Sequence, residues 1–272
     1  MLCAECHGEF PAKRAGQQFC CRTCANRFHG KAIEREAAVS VWSCGGGVES
    51  TAIAVLVAEG VLPKPDIAVF VDCGWERKRT MSYLQDVLRP RLAAVGVRLQ
   101  RVQTIEFGEN ELIDRRGYVA IPAYRRTADG KVTKLRTRCS GPWKARTAKR
   151  WLRRQGVVRC ENWVGFAADE SRRAKQSPNR WIRHRWPLIE LGMDREDCLY
   201  AIGKAGWPKP PRSNCVMCPQ HSDSEWLRMA NDEPGEFKRA SEIEDLVLRR
   251  CPGTFLHRSC RALAEWAATA MS

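Results

Sequence analysis

The sequence predicts an α/β fold: a doubly wound, Rossmann-like parallel sheet, preceded by a small N-terminal zinc-binding module and followed by a helical C-terminal region. Three observations predict it. From about residue 38 onward, short apolar runs of strand length alternate with helical stretches, the pattern of a parallel sheet covered on both faces. A glycine-rich turn joins the first of these strands to an apolar helix. Five cysteines crowd into the first 24 residues at metal-ligand spacings. The expected organisation is therefore a module over residues 1–32 and a nucleotide-fold domain over 37–272, with 213–272 forming a Cys-x-x-Cys and helical extension.

In the module, Cys3-x2-Cys6 is followed by Cys20, Cys21 and Cys24. Two close pairs across a short loop can set four thiolates around zinc, and the metal supplies folding energy that so short a segment cannot obtain by burial. The stretch from Phe19 to His29 resembles small treble-clef fingers carrying Phe-Cys-Ser-x-x-Cys. That resemblance implies Cys3, Cys6, Cys20 and Cys24 as ligands, with Cys21 at the usual serine position and an alternative to Cys20. Lys13, Arg14, Arg22, Arg27 and Lys31 could meet nucleic-acid phosphates or only keep the module soluble.

Ala38–Trp42 reads as a buried strand, and an apolar helix runs from the turn to about Glu59. Between them lie Ser43, Cys44, Gly45, Gly46, Gly47, Val48, Glu49, Ser50 and Thr51. Backbone N–H groups at such a turn can surround a phosphate, helped by the helix dipole, while Ser50 and Thr51 can donate further hydrogen bonds. No Gly-Lys-Ser/Thr follows, so this is not a Walker A loop. The next strand, Asp66–Val71, ends in Asp72-Cys73-Gly74-Trp75-Glu76. A helix is expected from about Arg79 to Val95 and a third strand over Val97–Val102. Glu106–Lys134 is polar and irregular and reads as an insertion or lid. The glycine turn and Asp72 both fall at the carboxyl edge of the strands, where such sheets bind ligands.

Arg138-Cys139-Ser140-Gly141-Pro142-Trp143-Lys144 opens a helix to about Gln155. Between Lys131 and Arg154 there are ten Lys/Arg and no acid, a density that can neutralise a polyanion or form a solvated face. Trp163–Phe166 reads as a further strand ending in Asp169, Glu170 and Arg173, and Asp194 caps a later helix. Cys215-x2-Cys218 can converge two sulfurs on one metal or cluster. Cys139 would be a third thiolate, with His221, His257 or another Cys as a fourth ligand to zinc.

These motifs resemble the PP-loop of the adenine nucleotide alpha hydrolase superfamily, whose usual form is Ser-Gly-Gly-x-Asp-Ser. They are most similar to phosphoadenosine-phosphosulfate-reductase-like proteins with a Gly-Gly-Gly-Val-x-Ser-Thr turn, an Asp-Thr-Gly-Trp-Glu element and Cys-x-x-Cys-Pro-x-His-Ser-Asp-x-Glu-Trp. Here the last reads Cys215 to Trp226, and Leu256–Ser259 resembles the family's His-Arg-Ser. The resemblance implies a PP-loop (HUP-type) sheet binding ATP or a related adenine nucleotide with Mg²⁺. Ser43, Gly45, Gly46, Gly47, Glu49, Ser50, Thr51 and Asp72 would bind the nucleotide, and Lys144, Asp169, Glu170 and Arg173 would be catalytic. It also implies a [4Fe–4S] cluster or a second Zn²⁺ at Cys139, Cys215 and Cys218. Three departures stand out: Glu49 replaces the usual Asp, Ala167 replaces an Arg, and the Glu-Cys-Gly-x-His tail of sulfonate reductases is missing. Activation by ATP, with sulfur transfer to an acceptor such as nucleic acid, therefore agrees better with the sequence than thioredoxin-linked reduction.

Composition sets the outer bounds. The chain of 272 residues carries 46 Lys+Arg against 31 Asp+Glu, a formal charge of +15, which favours an anionic partner. A hydrophobic fraction of 44% fills a core, yet no run reaches the ~18 apolar residues of a membrane span. Fourteen cysteines behind no leader-like segment point to metals in a reducing, cytoplasmic setting rather than to disulfides. Two other classes stay open: a non-catalytic, zinc-dependent nucleic-acid binder on a degenerate nucleotide fold, and an adenylyl-sulfate reductase. A homodimer also stays open.

Overall fold

The computed structural model describes residues 1–4, 6–12, 17, 18, 20, 21, 24, 38–104, 112, 113, 119–135 and 139–271. The basic residues Lys13, Arg14, Arg22, Arg27 and Lys31 of the module, Arg138, and much of the expected lid lie outside them.

β1 (Val39–Cys44), β2 (Ile67–Asp72), β3 (Leu99–Gln103), β6 (Cys160–Val164) and β7 (Ile182–Arg185) form one parallel sheet in the order β3-β2-β1-β6-β7. This is the doubly wound α/β architecture. Val, Ile and Phe in β1 and β2 suit strands buried on both faces. β1 pairs with β2 from Val41↔Ile67 and with β6 from Val39↔Cys160. The strand order therefore reverses beside β1, which opens a crevice outside its carboxyl end.

α1 (Val48–Ala58) follows β1 directly. It is apolar all round, with Val48 and every residue from Ser50 to Val57 buried, because it lies between the sheet and α6 (Arg195–Lys204). After β2, α2 (Lys78–Tyr83) runs through a π-turn at Leu84–Leu88 into α3 (Arg89–Ala94), burying Leu84, Leu88 and Leu92 against the same core. On the opposite face Val41, Val69 and Val71 pack with Leu152 of α4 (Arg146–Arg154). α5 (Pro187–Glu190) follows β7. Asp194 caps α6 in a capping box with Asp197, accepting from the N–H groups of Glu196 and Asp197 at 2.8 and 2.9 Å.

The strand expected over 163–166 is shifted toward the N-terminus, to Cys160–Val164. The chain leaves the sheet at Gly165 because the start of α1 descends onto it: a Cβ there would meet the Glu49 Cβ at 3.4 Å and the Ser50 nitrogen at 3.5 Å. The region read as an irregular lid contains β4 (Tyr124–Arg126) and β5 (Val132–Lys134), an antiparallel hairpin. β4 also pairs with β8 (Thr254–Phe255), over a hundred residues away. Strands of two or three mostly exposed residues carry no alternation to read.

α7 (Asp223–Asp232), α8 (Pro234–Arg250) and α9 (Leu263–Met271) complete the chain. Their core of Trp226, Met229, Ala240 and Val247 continues through Met217, Val216 and Trp143. Thus the Cys-x-x-Cys segment and the start of the basic helix are packed into one body with the C-terminal helices. Among the described residues no helix is long and apolar enough to cross a membrane.

Candidate active site: an amide-lined cleft beside a thiol cluster

The turn after β1 needs glycine at one position above all. Gly46 has φ +73°, and a Cβ there would press on Thr80 and Leu84 at 3.4–3.5 Å. Gly45 is tied down at both polar groups: its N–H donates to Ser50 Oγ at 2.8 Å, and its carbonyl accepts from Ser213 Oγ. No side chain caps α1, so the N–H groups at its start remain directed out of the helix, as the first amides of any helix are.

They line a cleft of about 700 Å³ together with Gly45, Gly47, Glu49, Ser50, Lys144, Gly165, Glu170, Arg173, Arg195, Arg212 and Asn214. Four cations face this space. Each is held by a carboxylate: Arg195 by Glu49, Arg173 by Glu170, Lys144 by Glu76 and Arg212 by Glu225. Arg173 lies 4.5 Å above the Phe166 ring. Donor-rich geometry at a helix start, with four cationic side chains around it, is suited to a polyphosphate. Because Glu49 and Glu170 are engaged, a Mg²⁺ ion would have to arrive on the phosphates themselves.

The remaining expected nucleotide and catalytic residues are placed elsewhere. Ser43 donates to Asn162 Oδ1 at 2.7 Å. Thr51 is buried and its hydroxyl bonds back to the Gly47 carbonyl at 2.9 Å. Asp72 accepts from Gly74 N at 2.7 Å and from Arg101 Nε at 3.0 Å, so it shapes the loop after β2. Asp169 is exposed on the 3₁₀ turn Ala168–Arg173. None of these four is among the described residues lining the cleft.

Lys144 joins the cleft to a second constellation. Its Nζ bonds Glu76 Oε1, and it stands over the Phe70 ring at 6.0 Å. Burial opposes its charge, but Glu76, Cys215 and Cys73 outweigh burial and raise its pKa. The loop Cys73–Glu76 pairs with the Cys-x-x-Cys segment through an isolated bridge, Glu76↔Cys215, and Val216 N donates to the Trp75 carbonyl at 2.8 Å. Cys73 Sγ is thereby 3.5 Å from Cys215 Sγ, and Glu76 Oε1 is 3.6 and 3.9 Å from the two sulfurs. The contact between the two thiols lowers the pKa of Cys73 and raises that of Cys215, which burial raises further.

Cys139 is close enough to feel the charge of Cys73, and Cys218 that of Cys139. Burial raises both thiols. The set whose donor atoms all fall within 4.8 Å of one another, however, is Cys73, Glu76 and Cys215. His221 and His257 are committed elsewhere. His221 Nε2 meets the Cys215 carbonyl at 3.0 Å, and burial pushes its pKa down to about 4. His257 lies between Ser259 at 2.8 Å and Asp223 at 3.3 Å and stacks on Trp266.

In the module, Cys3, Cys6, Cys20 and Cys24 bring four sulfurs within 4.8 Å of one another. Cys6–Cys20 is 3.8 Å and Cys20–Cys24 is 3.5 Å, separations that a single metal ion can bridge. The knuckle is shaped by Cys3 N donating to the Gly8 carbonyl, the Leu2↔Glu9 bridge and a left-handed His7. Cys21 is exposed and outside the set.

Sequence reasoning had quoted Cys73 and Glu76 without giving them a role, and had not singled out Arg195, Arg212, Ser213 or Asn214. A signal existed for Cys73: it stands where the related motif has threonine.

No protein-family model matches the chain, and no curated protein matches it in sequence. Among solved structures, the phosphoadenylyl-sulfate (PAPS) reductase from Candida auris in its phosphate complex is similar with a TM-score of 0.43 and 12% identity, over 70% of this chain and 89% of that one. The U34-tRNA thiolase NcsA from Methanococcus maripaludis with its [4Fe–4S] cluster is similar with a TM-score of 0.41 and 12% identity, over 100% of this chain and 87% of that one.

Proposed function

We propose that the chain is a PP-loop nucleotide enzyme of the phosphoadenosine-phosphosulfate-reductase-like family. In this reading it binds ATP or a related adenylyl nucleotide and activates, or transfers sulfur to, an acceptor. The observation that carries it is the cleft at the carboxyl end of β1, where uncapped amides at the start of α1 converge with Lys144, Arg173, Arg195 and Arg212.

The chemistry such a cleft supports is displacement at the α-phosphorus. An acceptor oxygen forms a bond to that phosphorus, the bridge to the β-phosphate breaks, the acceptor's proton passes to solvent, and pyrophosphate leaves. The growing charge on the leaving group is met by the amides at the start of α1 and by the four cations, which stand in place before the reaction. Mg²⁺ bound to the phosphates would neutralise further charge. The basic surface of α4, with Arg146, Lys149, Arg150, Arg153 and Arg154, supports an anionic acceptor such as nucleic acid.

The test is titration calorimetry of the full chain with MgATP, paired with a pyrophosphate-release assay over candidate RNA and DNA acceptors. Arg195→Ala and Gly46→Ala should each weaken nucleotide binding at least tenfold. Binding of nucleic acid with no affinity for any adenine nucleotide would replace this reading by the non-catalytic one.

A further inference from the structure

We propose that Cys73, Glu76 and Cys215 are the three protein ligands of a single zinc-class divalent ion, held apart from the four-cysteine knuckle and one lysine side chain away from the nucleotide cleft. The assignment stands on separations, burial, an orphaned atom and charge, and it does not depend on the nucleotide reading.

A tetrahedral ion with Zn–S of about 2.3 Å and Zn–O of about 2.0–2.2 Å sets sulfur–sulfur edges near ~3.8 Å and sulfur–oxygen edges near ~3.6 Å. The observed triangle has a sulfur–sulfur edge of 3.5 Å and sulfur–oxygen edges of 3.6 and 3.9 Å. It thus nearly has the dimensions of one face of such a tetrahedron before any ion draws it together. Cys73 is fully buried, Glu76 is buried, and Cys215 is half-buried.

Glu76 Oε2 supplies the second observation: it is buried without a hydrogen-bond partner among the described residues. An orphaned carboxylate oxygen inside a protein is costly; Oε1, the oxygen nearest the two sulfurs, already accepts from Lys144, which leaves Oε2 as the same carboxylate's remaining acceptor for a cation. Charge closes the argument. Two thiolates and one carboxylate carry three negative charges, Lys144 returns one positive charge through its bond to Glu76, and a divalent ion brings the group to neutrality.

The donors in contact with the Cys215 sulfur are Cys73 and Glu76, so the ion proposed here draws on Cys215 without needing Cys139 or Cys218. Three protein ligands leave the fourth position of the ion for water or a substrate atom, the arrangement of zinc sites that polarise a bound group.

The decisive measurement uses the full chain carrying Cys24→Ser to empty the knuckle, purified anaerobically and analysed for metals, acid-labile sulfide and zinc-edge X-ray absorption. The expected result is one divalent ion per chain, with about two sulfur and two oxygen or nitrogen neighbours. Four sulfur neighbours, iron with labile sulfide, or a chain without metal would each overturn the proposal. A second measurement avoids the knuckle variant. In the otherwise wild-type chain, Cys73→Thr should lower the metal content from two ions to one with the circular dichroism spectrum retained, and Cys139→Ser should leave two. Unchanged metal content in Cys73→Thr, or loss of an ion in Cys139→Ser, would overturn it as well. Calorimetry with MgATP on the same samples separates this outcome from that of the nucleotide cleft.

Discussion

In the N-terminal knuckle, sulfurs that touch come from Cys6 and Cys20, fourteen residues apart; in the interior, Cys73 and Cys215 touch across 142 residues. The donor chemistry is alike and the separations are nearly equal, but the means of assembly differ. The knuckle is closed by a few local hydrogen bonds, such as Ala4 N to Gln18 O at 2.9 Å, and has only Cys3 and Cys24 buried among its thiols. A site of that kind depends on its metal for its shape. The interior site is held by tertiary anchors that need no ion: Arg77 of the loop after Glu76 is fully buried between Glu233 and Glu236, and Arg239 holds the Gly74 carbonyl at 2.6 Å. The lesson is that a metal would have to organise the knuckle's peptide, whereas the interior site is organised by the fold.

That contrast can be broken most directly at the knuckle. Cys24→Ser or a strong chelator should remove its ion and unfold the module, where the metal contributes about 10 kcal/mol or more of folding energy. Hydrogen exchange should then show loss of protection in the first two dozen residues and little change in β1 or α1. Protection lost in the sheet would mean that the two regions are coupled after all. A smaller effect is expected at the interior anchor. Arg77→Ala leaves Glu233 and Glu236 without their buried partner and should cost about 3–5 kcal/mol, read as a fall in denaturation midpoint with the knuckle's metal retained.

The knuckle and the C-terminal helices should respond oppositely to pH. Thiols must lose protons to bind metal, so the knuckle's ion is released as pH falls. Glu244, on α8, behaves in the other sense. Burial pushes its carboxyl up to about 7, outweighing the N–H groups of Leu263 and Leu256 that it accepts. Its folded pKa lies above the ordinary 4.5, so its contribution is complete below that value and is lost as pH rises through about 7. The loss is on the order of 3 kcal/mol, and Glu244→Gln should flatten the thermal stability of the C-terminal helices across this window. The smallest effect concerns the cleft wall. Asp194→Ala removes the cap of α6 and should cost about 1 kcal/mol. By loosening Arg195, which pairs with Glu49, it should also weaken MgATP binding several-fold in calorimetry.

The glycine turn was legible because a strand, three glycines and a helix start are consecutive, and Gly46 does sit at a left-handed position. The knuckle's cysteine grouping was legible for the same reason of proximity, while the choice between Cys20 and Cys21 rested on a resemblance to treble-clef fingers. The capping box at Asp194 needed only four residues. The small antiparallel sheet was not legible, because β8 supplies two residues whose partner, β4, is remote in the chain.

Local order along the chain thus determined the α/β class, the glycine turn and the four-cysteine module, since each is written in residues that meet through short loops. Only the tertiary structure decided which thiol meets Cys215, which cations face the turn, and that Asp72 belongs to Arg101. Those choices depend on where β2, the basic helix and the Cys-x-x-Cys loop come to rest against a shared core. Packing sets that relation across more than a hundred residues, and spacing within any one motif carries no record of it.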